Sequence, residues 1–297
     1  MRVLLIGRNG QVGYELLRCL APLGEIVAPG RAELDLSHAD SVAGAVRGGG
    51  YDWIVNAAAY TAVDKAEQEP EAARVLNADA PGWLAEEALR EHAALVHYST
   101  DYVFDGTSAN PYVETDPTAP LNVYGRTKLA GELAIRATHA RHLIFRTSWV
   151  YGARGQNFMR TILRLARERE ELTVVDDQWG APTWSRMIAE VTALAMARMA
   201  SATPEDWANM GGVYHLAASG ATTWHGFASA SLALDPRREQ QRASLVRPIP
   251  TREYPRPARR PLNSRLDCSA LHRVFGLRLP DWKHSLAQVL DDVAGSV

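Results

Sequence analysis

Short apolar runs alternate with amphipathic stretches through the first half of the chain, and each run has the length of a buried strand. Val3–Ile6 reads as a first strand and Gln11–Leu20 as the helix after it. Glu25–Ala28 and Trp53–Ala57 read as further strands, with the helical stretch Ser41–Arg47 between them. The pattern then predicts a long helix over Glu71–Glu91, a strand over Ala94–Tyr98, a helix from Val123 to Ala137 and a strand over His142–Thr147. Strands alternating with helices in this way build βαβ units, and so a parallel sheet. The predicted class is α/β, with right-handed crossovers that bring the loops after the strands to one edge of a doubly wound sheet.

The second half is less regular. Phe158–Glu170 and Arg186–Met199 have helical spacing, and Leu172–Val175 is strand-like. Pro248, Pro250, Pro255, Pro257 and Pro261 stand among several arginines, a density that excludes a helix and predicts an ordered or extended loop. There is no internal repeat and no low-complexity linker. The expected organisation is a nucleotide-binding domain over residues 1–150 and a smaller C-terminal substrate-binding domain over 151–297, some of whose segments return to the first.

Composition narrows the function classes. Of the 297 residues, 46% are apolar and 22% charged, which suits a globular enzyme and not a disordered chain. With 32 basic against 34 acidic side chains, no global field favours nucleic acid or an anionic membrane, so an anionic ligand needs a local site. Cys19 and Cys268 form neither a disulfide framework nor a metal pattern, which fits a reducing compartment. Gly7-Arg8-Asn9-Gly10 cuts the first apolar run too short for a signal peptide, and no stretch reaches the roughly 18 apolar residues of a membrane span. A cytoplasmic protein is expected.

Straight after the first strand stands Gly7-Arg8-Asn9-Gly10-Gln11-Val12-Gly13. Glycines there permit a tight turn and let the backbone approach a pyrophosphate at a helix N-terminus, where free N–H groups and the helix dipole favour negative charge. Its position, opening a helix after the first strand, points to a Rossmann-type dinucleotide site. Gly7, Asn9, Gly10, Gln11 and Val12 would form it. The second strand ends in Pro29-Gly30-Arg31, with no acid before Glu33, so Arg31 is the candidate for a 2′-phosphate and NADPH is favoured, with NADH the other donor. Asp35 and Leu36 would frame the adenine, and Ala57, Ala58, Ala59 and Tyr60 would lie along the cofactor. Close packing of strand on helix would equally explain the alanines.

Ser99, Thr100, Asp101 and Tyr102 follow the strand at 94–98, and farther on come Tyr124 and Lys128. Four apart on a helix, these two share a face. An ammonium beside a phenol lowers its pKa from about 10 and suits it to proton transfer. In short-chain dehydrogenases the same lysine also holds the nicotinamide ribose. Thr100 would hydrogen-bond the phenol or the substrate oxygen. A lone Tyr-x-x-x-Lys is common in helices; a glycine-rich loop, a Ser/Thr strand end and Tyr-x-x-x-Lys in that order mark the extended short-chain dehydrogenase fold.

The chain resembles the dTDP-4-dehydrorhamnose reductases. The resemblance rests on Gly7–Gly13, Val55–Asp64, His97–Phe104, Pro120–Gly125, Arg146–Tyr151, Arg259-Arg260-Pro261 and Asn263–Leu266, and spans nearly the whole chain. It implies hydride transfer to the C4 carbonyl of dTDP-6-deoxy-L-lyxo-4-hexulose, giving dTDP-L-rhamnose. It implies Tyr124 as proton donor, Lys128 as its partner, and Thr100 with Asp101 at the sugar. Trp149 would line the sugar pocket, and Arg259 and Arg260 would hold the pyrophosphate through planar, forked hydrogen bonds.

One departure concerns metal. Some members bind Mg²⁺ at a dimer interface through glutamates; Glu15 matches one, but Arg186 stands where another is expected, with Asp291-Asp292 near a third. An arginine repels the cation, so Mg²⁺ is not expected, and Glu15 and Arg186 could pair directly. A homodimer through that surface stays open. So do two other functions: a nucleotide-sugar epimerase, which uses the same threonine or serine, tyrosine and lysine, and a non-catalytic NADP-binding subunit of the kind that regulates methionine adenosyltransferases. A dehydratase would carry a glutamate shortly after the threonine, where this chain has Tyr102.

Overall fold

A computed structural model describes residues 1–294; the last three residues of the expected second domain lie outside the described residues. Six parallel strands form the central sheet: β1 (Arg2–Ile6), β2 (Glu25–Val27), β3 (Trp53–Asn56), β4 (Ala94–Thr100), β5 (His142–Thr147) and β6 (Gly212–His215). Their spatial order is β6-β5-β4-β3-β1-β2, so the chain runs outward from β1 in one direction and then returns to extend the other side, the doubly wound pattern. The last strand comes from the second half of the chain and pairs with β5 from Gly212↔Leu143 to His215↔Arg146.

Near-continuous apolar strands are the mark of a sheet covered on both faces. Val3, Leu5, Val55, Val96 and Phe145 face helices α1 (Gln11–Cys19) and the stretch Ser185–Met199, where Leu16, Ile188 and Met196 meet them. Leu4, Ile54, Leu95 and Ile144 face the other way, against Val42 of α2 (Ala39–Val46), Leu84 of α3 (Ala80–Arg90) and Ile135 of α4 (Val123–Ala137). A separate core gathers Tyr151, Phe227, Trp282 and Leu286 from the second half. No helix among the described residues is long and apolar enough to cross a membrane.

Three segments differ from the sequence pattern. The stretch expected as one helix over Glu71–Glu91 is helical over Pro70–Arg74 and Ala80–Arg90, joined by a π turn at Val75–Asp79. Pro81 supplies the reason: it has no N–H to give, and its ring displaces the carbonyl four residues back, that of Asn77. The strand at 94–98 runs on through Thr100, because Ser99 and Thr100 pair with Arg146 and Thr147 of β5. The proline-rich segment begins as a strand, Leu245–Ile249, parallel to Glu171–Val175. Pro248 is tolerated there because this is a two-stranded ribbon with exposed edges.

The groove between α1 and Ser185–Met199 is lined by Glu15, Arg18, Arg186 and Glu190. Arg186 pairs with Glu190 at 2.9 Å and reaches Asp292 at 4.0 Å, rather than forming the direct pair with Glu15 that the sequence suggested. Glu15 feels Arg186 only at a distance, and burial raises its carboxyl above the usual range. Among the described residues, no group of three or more His, Cys, Asp or Glu is placed to hold a metal ion.

The displaced Asn77 carbonyl sets a tight contact with α4: a Cβ on Gly131 would lie 2.1 Å from that oxygen. Gly131→Ala is therefore expected to destabilise the protein by about 1–3 kcal/mol, as overpacking does. Urea unfolding would measure it, and an unchanged midpoint would contradict the close approach of α4 to the π turn.

Candidate active site

The glycine motif forms a tight turn that brings three strand ends together. Gly7 has φ +88°, and a Cβ there would lie 2.7 Å from Ala57 C and Ala58 N. A Cβ on Gly13 would lie 2.1 Å from the Gly7 carbonyl. Gly10 is the N-cap of α1, with no side chain capping the helix, so first-turn N–H groups are left to an outside acceptor. Asn9 and Gly10 are exposed, Ala57, Ala58 and Ala59 are half-buried, and Val12 packs on the core. Gln11 accepts a hydrogen bond from Asn157 Nδ2 at 3.0 Å, which ties the turn to the second half of the chain. This cradle, closed to any Cβ behind and open in front, fits a dinucleotide pyrophosphate.

Two arginines stand at the end of β2. Arg31 is exposed. Arg8, inside the glycine motif and not singled out by the sequence reasoning, donates to the Ala28 carbonyl and lies over Gly30. Glu33 turns back to accept the Gly30 N–H at 2.6 Å. The Asp35 carboxylate accepts from the Ser37 N–H and hydroxyl at 2.9 and 2.7 Å, and Leu36 is buried with Leu34 in the core. Tyr60 carries its ring away to Glu69, its hydroxyl donating at 2.7 Å.

The strand-end and helix residues meet as the spacing predicts. Thr100 donates to Asp101 at 2.9 Å and accepts the Tyr102 N–H at 3.2 Å. The Tyr124 phenol lies beside Thr100, and Tyr102 meets its ring edge-on at 5.8 Å. Burial pushes the Tyr124 phenol up to about 12, against a lowering influence of Thr100. The expected depression of Tyr124 by the Lys128 ammonium is therefore not observed. Lys128 Nζ instead lies 2.6 Å from the Tyr98 carbonyl and 3.1 Å from His97 Nε2. Burial lowers Lys128 to about 8, with Glu132 working the other way.

Beside these residues opens a cleft of about 1140 Å³, lined by Tyr102, Trp179, Trp224 and five arginines, Arg252, Arg256, Arg259, Arg260 and Arg265. Arg260 pairs with Asp64 at 3.0 Å, while Arg259 is exposed and its carbonyl accepts from Asn122 Nδ2 at 2.8 Å. Asn122 also caps α4, accepting the Gly125 N–H, so the proline-rich segment is fastened to the start of the helix that carries Tyr124. Trp149 has φ +47°, a costly backbone state for its side chain, and its ring stacks on Trp224 at 3.6 Å. Trp179, Trp224, Arg252 and Arg256 were not separable from ordinary surface or core residues by sequence. Only the density of arginine near residue 256 hinted at them.

The family model described as the RmlD substrate binding domain matches residues 1–294. A dTDP-4-dehydrorhamnose reductase from Burkholderia thailandensis is 51% identical over 296 residues, covering 99% of each chain. The crystal structure of one from Clostridium acetobutylicum superposes with a TM-score of 0.90 at 34% identity, over 99% of this chain and 100% of that one. Another, from Bacillus anthracis in complex with NADP, gives 0.87 at 33% identity, over 98% and 99%.

Asp101 offers a pH test of the site. Its carboxyl is raised to about 6 by burial, with hydrogen bonds from Ser264 and Thr100 opposing. The folded state thus holds a proton that the unfolded chain has released, and stability falls as pH rises from about 4 to about 6. Asp101→Asn is expected to gain about 2–3 kcal/mol relative to wild type between pH 4 and 7. Denaturation at both pH values measures the difference, and a constant gap would refute the buried-acid account.

Proposed function

The chain belongs to the RmlD substrate binding domain family, and from that premise we propose that it is a dTDP-4-dehydrorhamnose reductase. It reduces the C4 carbonyl of dTDP-4-dehydro-6-deoxy-L-mannose with NADPH, or with NADH as the other donor, to give dTDP-L-rhamnose. The observation that carries the reading is the meeting of Thr100, Tyr124 and Lys128 on the same sheet edge as the open N-terminus of α1.

In this reading the turn Gly7–Val12 holds the pyrophosphate, Ala57–Ala59 flank the dinucleotide, and Lys128 holds the nicotinamide ribose. Arg31, helped by Arg8, takes the 2′-phosphate. Asp35 and Leu36 would lie near the adenine, and Tyr60 would follow Ala57–Ala59 along the cofactor. When bound, the nicotinamide supplies the hydride to C4. Tyr124 Oη gives its proton to the C4 oxygen; a phenol raised to about 12 is fully protonated at neutral pH and still far more acidic than an alkoxide's conjugate acid. Thr100 aligns Oη, and the buried Asp101 orients Thr100. Arg259 and Arg260, with Arg252 and Arg256, bind the substrate pyrophosphate. Trp224, which lines the cleft with Trp149 stacked on it, packs against the sugar. The free thiols of Cys19 and Cys268 suit the reducing cytoplasm expected for such an enzyme, and the α1 groove is the surface through which a homodimer would form.

NADPH and NADH absorbance, followed with dTDP-6-deoxy-L-lyxo-4-hexulose, tests the proposal. Rapid oxidation is expected, with Tyr124→Phe losing about 10²–10⁴-fold in kcat, the usual worth of a positioned acid. Arg31→Ala should raise KM for NADPH about tenfold, one charged hydrogen bond, and leave KM for NADH near wild type. No oxidation with either donor, despite binding of cofactor and sugar nucleotide, would sink the reductase reading.

A further inference from the structure

Resting on that reading, we propose that Gln178 is a positioning residue that locks the Trp224 indole in the wall facing the sugar, and so sets affinity for the sugar and not for the nucleotide. Hydrogen-bond direction fixes the amide. The Trp224 indole N–H can only donate, and it lies 3.2 Å from Gln178 Oε1, which is therefore the carbonyl oxygen. Nε2 is then an obligate donor, 3.0 Å from the Thr251 hydroxyl. That hydroxyl gives its own hydrogen to the Asp177 carboxylate, which leaves its lone pairs open to Gln178. Reversing the amide would set donor against donor at Trp224.

What the amide holds is a layered wall. Trp224 stacks on Trp149 at 3.6 Å, and the Phe158 ring leans on Trp224 at 4.6 Å. A Cβ on Gly180 would lie 2.5 Å from the Trp149 indole, so Trp149 has no room to retreat on that side. Trp179 and Gly180 pair with Thr223 and Thr222, which places the backbone just before Trp224. Stacking tolerates sliding of one ring over another, so it does not decide which edge of the indole meets the cleft. The directional bond to Gln178 does. Gln178 is 7% exposed, so water does not readily replace that bond. The arginine side of the cleft is fastened separately: the Asp177 carboxylate accepts the Thr251 N–H at 2.9 Å and the Thr251 hydroxyl, at the start of the turn that carries Arg252. Without the Gln178 amide those two bonds stay, and only the tryptophan side loses its lock.

Calorimetric titration of dTDP and of dTDP-L-rhamnose into the full chain tests this, because the two ligands differ at the sugar. Gln178→Met keeps the length of the side chain and makes neither bond. It is expected to weaken dTDP-L-rhamnose binding about tenfold, the worth of one hydrogen bond, and to leave dTDP within about twofold. Trp224→Phe removes the indole N–H and should show the same selectivity. Adding Gln178→Met to it should cost little more, since the two side chains act as one contact. In ligand-free protein labelled with ¹⁵N-tryptophan, the Trp224 indole signal is assigned by its loss in Trp224→Phe. That signal should move, and exchange faster with solvent, in Gln178→Met. Should Gln178→Met fail to fold, Thr251→Val, which takes away the hydroxyl behind the amide, carries the same test. Equal losses for both ligands, additive losses in the double variant, or an unmoved indole signal would overturn the proposal. A wild type that binds neither ligand would strike the reductase reading and the sugar role with it, while the indole signal still reports the lock.

Discussion

Arg146 of β5 and Glu132 of α4 pair at 2.6 Å with side chains 4% and 1% exposed, and the placement of the helix that carries Tyr124 and Lys128 depends on that contact. The pair is bidentate, and Ser99 of β4 donates to the same carboxylate. Two strands and a helix are thus joined through one desolvated carboxylate. Removing one partner of such a pair leaves a buried charge and costs about 3–5 kcal/mol, so α4 cannot slide along the sheet without losing it. Lys128 sits one turn before Glu132 and Tyr124 two turns before. Fixing Glu132 therefore fixes where the phenol and the amine stand against the end of β4.

The same helix is held at its other end by different means. Asn122 caps it and reaches the Arg259 carbonyl, while Asp64, in the segment after β3, pairs with Arg260. The proline-rich segment is thereby tied to both sides of the entrance to α4. Its arginines face a cleft that begins where the helix begins. At the glycine turn, Gly7 and Gly13 leave no space for a Cβ behind the loop, whose open face turns to solvent. The protein thus has a sheet edge bearing Thr100, Tyr124 and Lys128 and a second half that supplies the arginine and tryptophan wall.

The first half of the fold is legible in the sequence because burial there is periodic. β1, α1, α4 and β5 fall within a residue of the apolar pattern, and the glycine turn and the Tyr124–Lys128 face follow from spacing alone. The π turn at Val75–Asp79 was written in Pro81, although its purpose, a carbonyl pressed against Gly131, is a contact across 54 residues that no local pattern marks. Trp149 could be suspected from its place after a strand. Its left-handed backbone and its stack on Trp224 depend on a helix 75 residues away.

The chain by itself determined the doubly wound parallel sheet, the glycine turn that opens α1, and the phenol, amine and hydroxyl of the proposed reacting centre, because these follow from local periodicity and fixed spacing. Only the tertiary structure decided how burial and hydrogen bonding shift the phenol and the amine. The sequence placed an ammonium beside Tyr124; the fold buries Lys128 and turns it to the Tyr98 carbonyl and to His97, so that Tyr124 rises where spacing alone predicts a fall. Desolvation and hydrogen-bond direction are set by what packs around a group from distant parts of the chain, and a pattern of neighbours in sequence does not contain them.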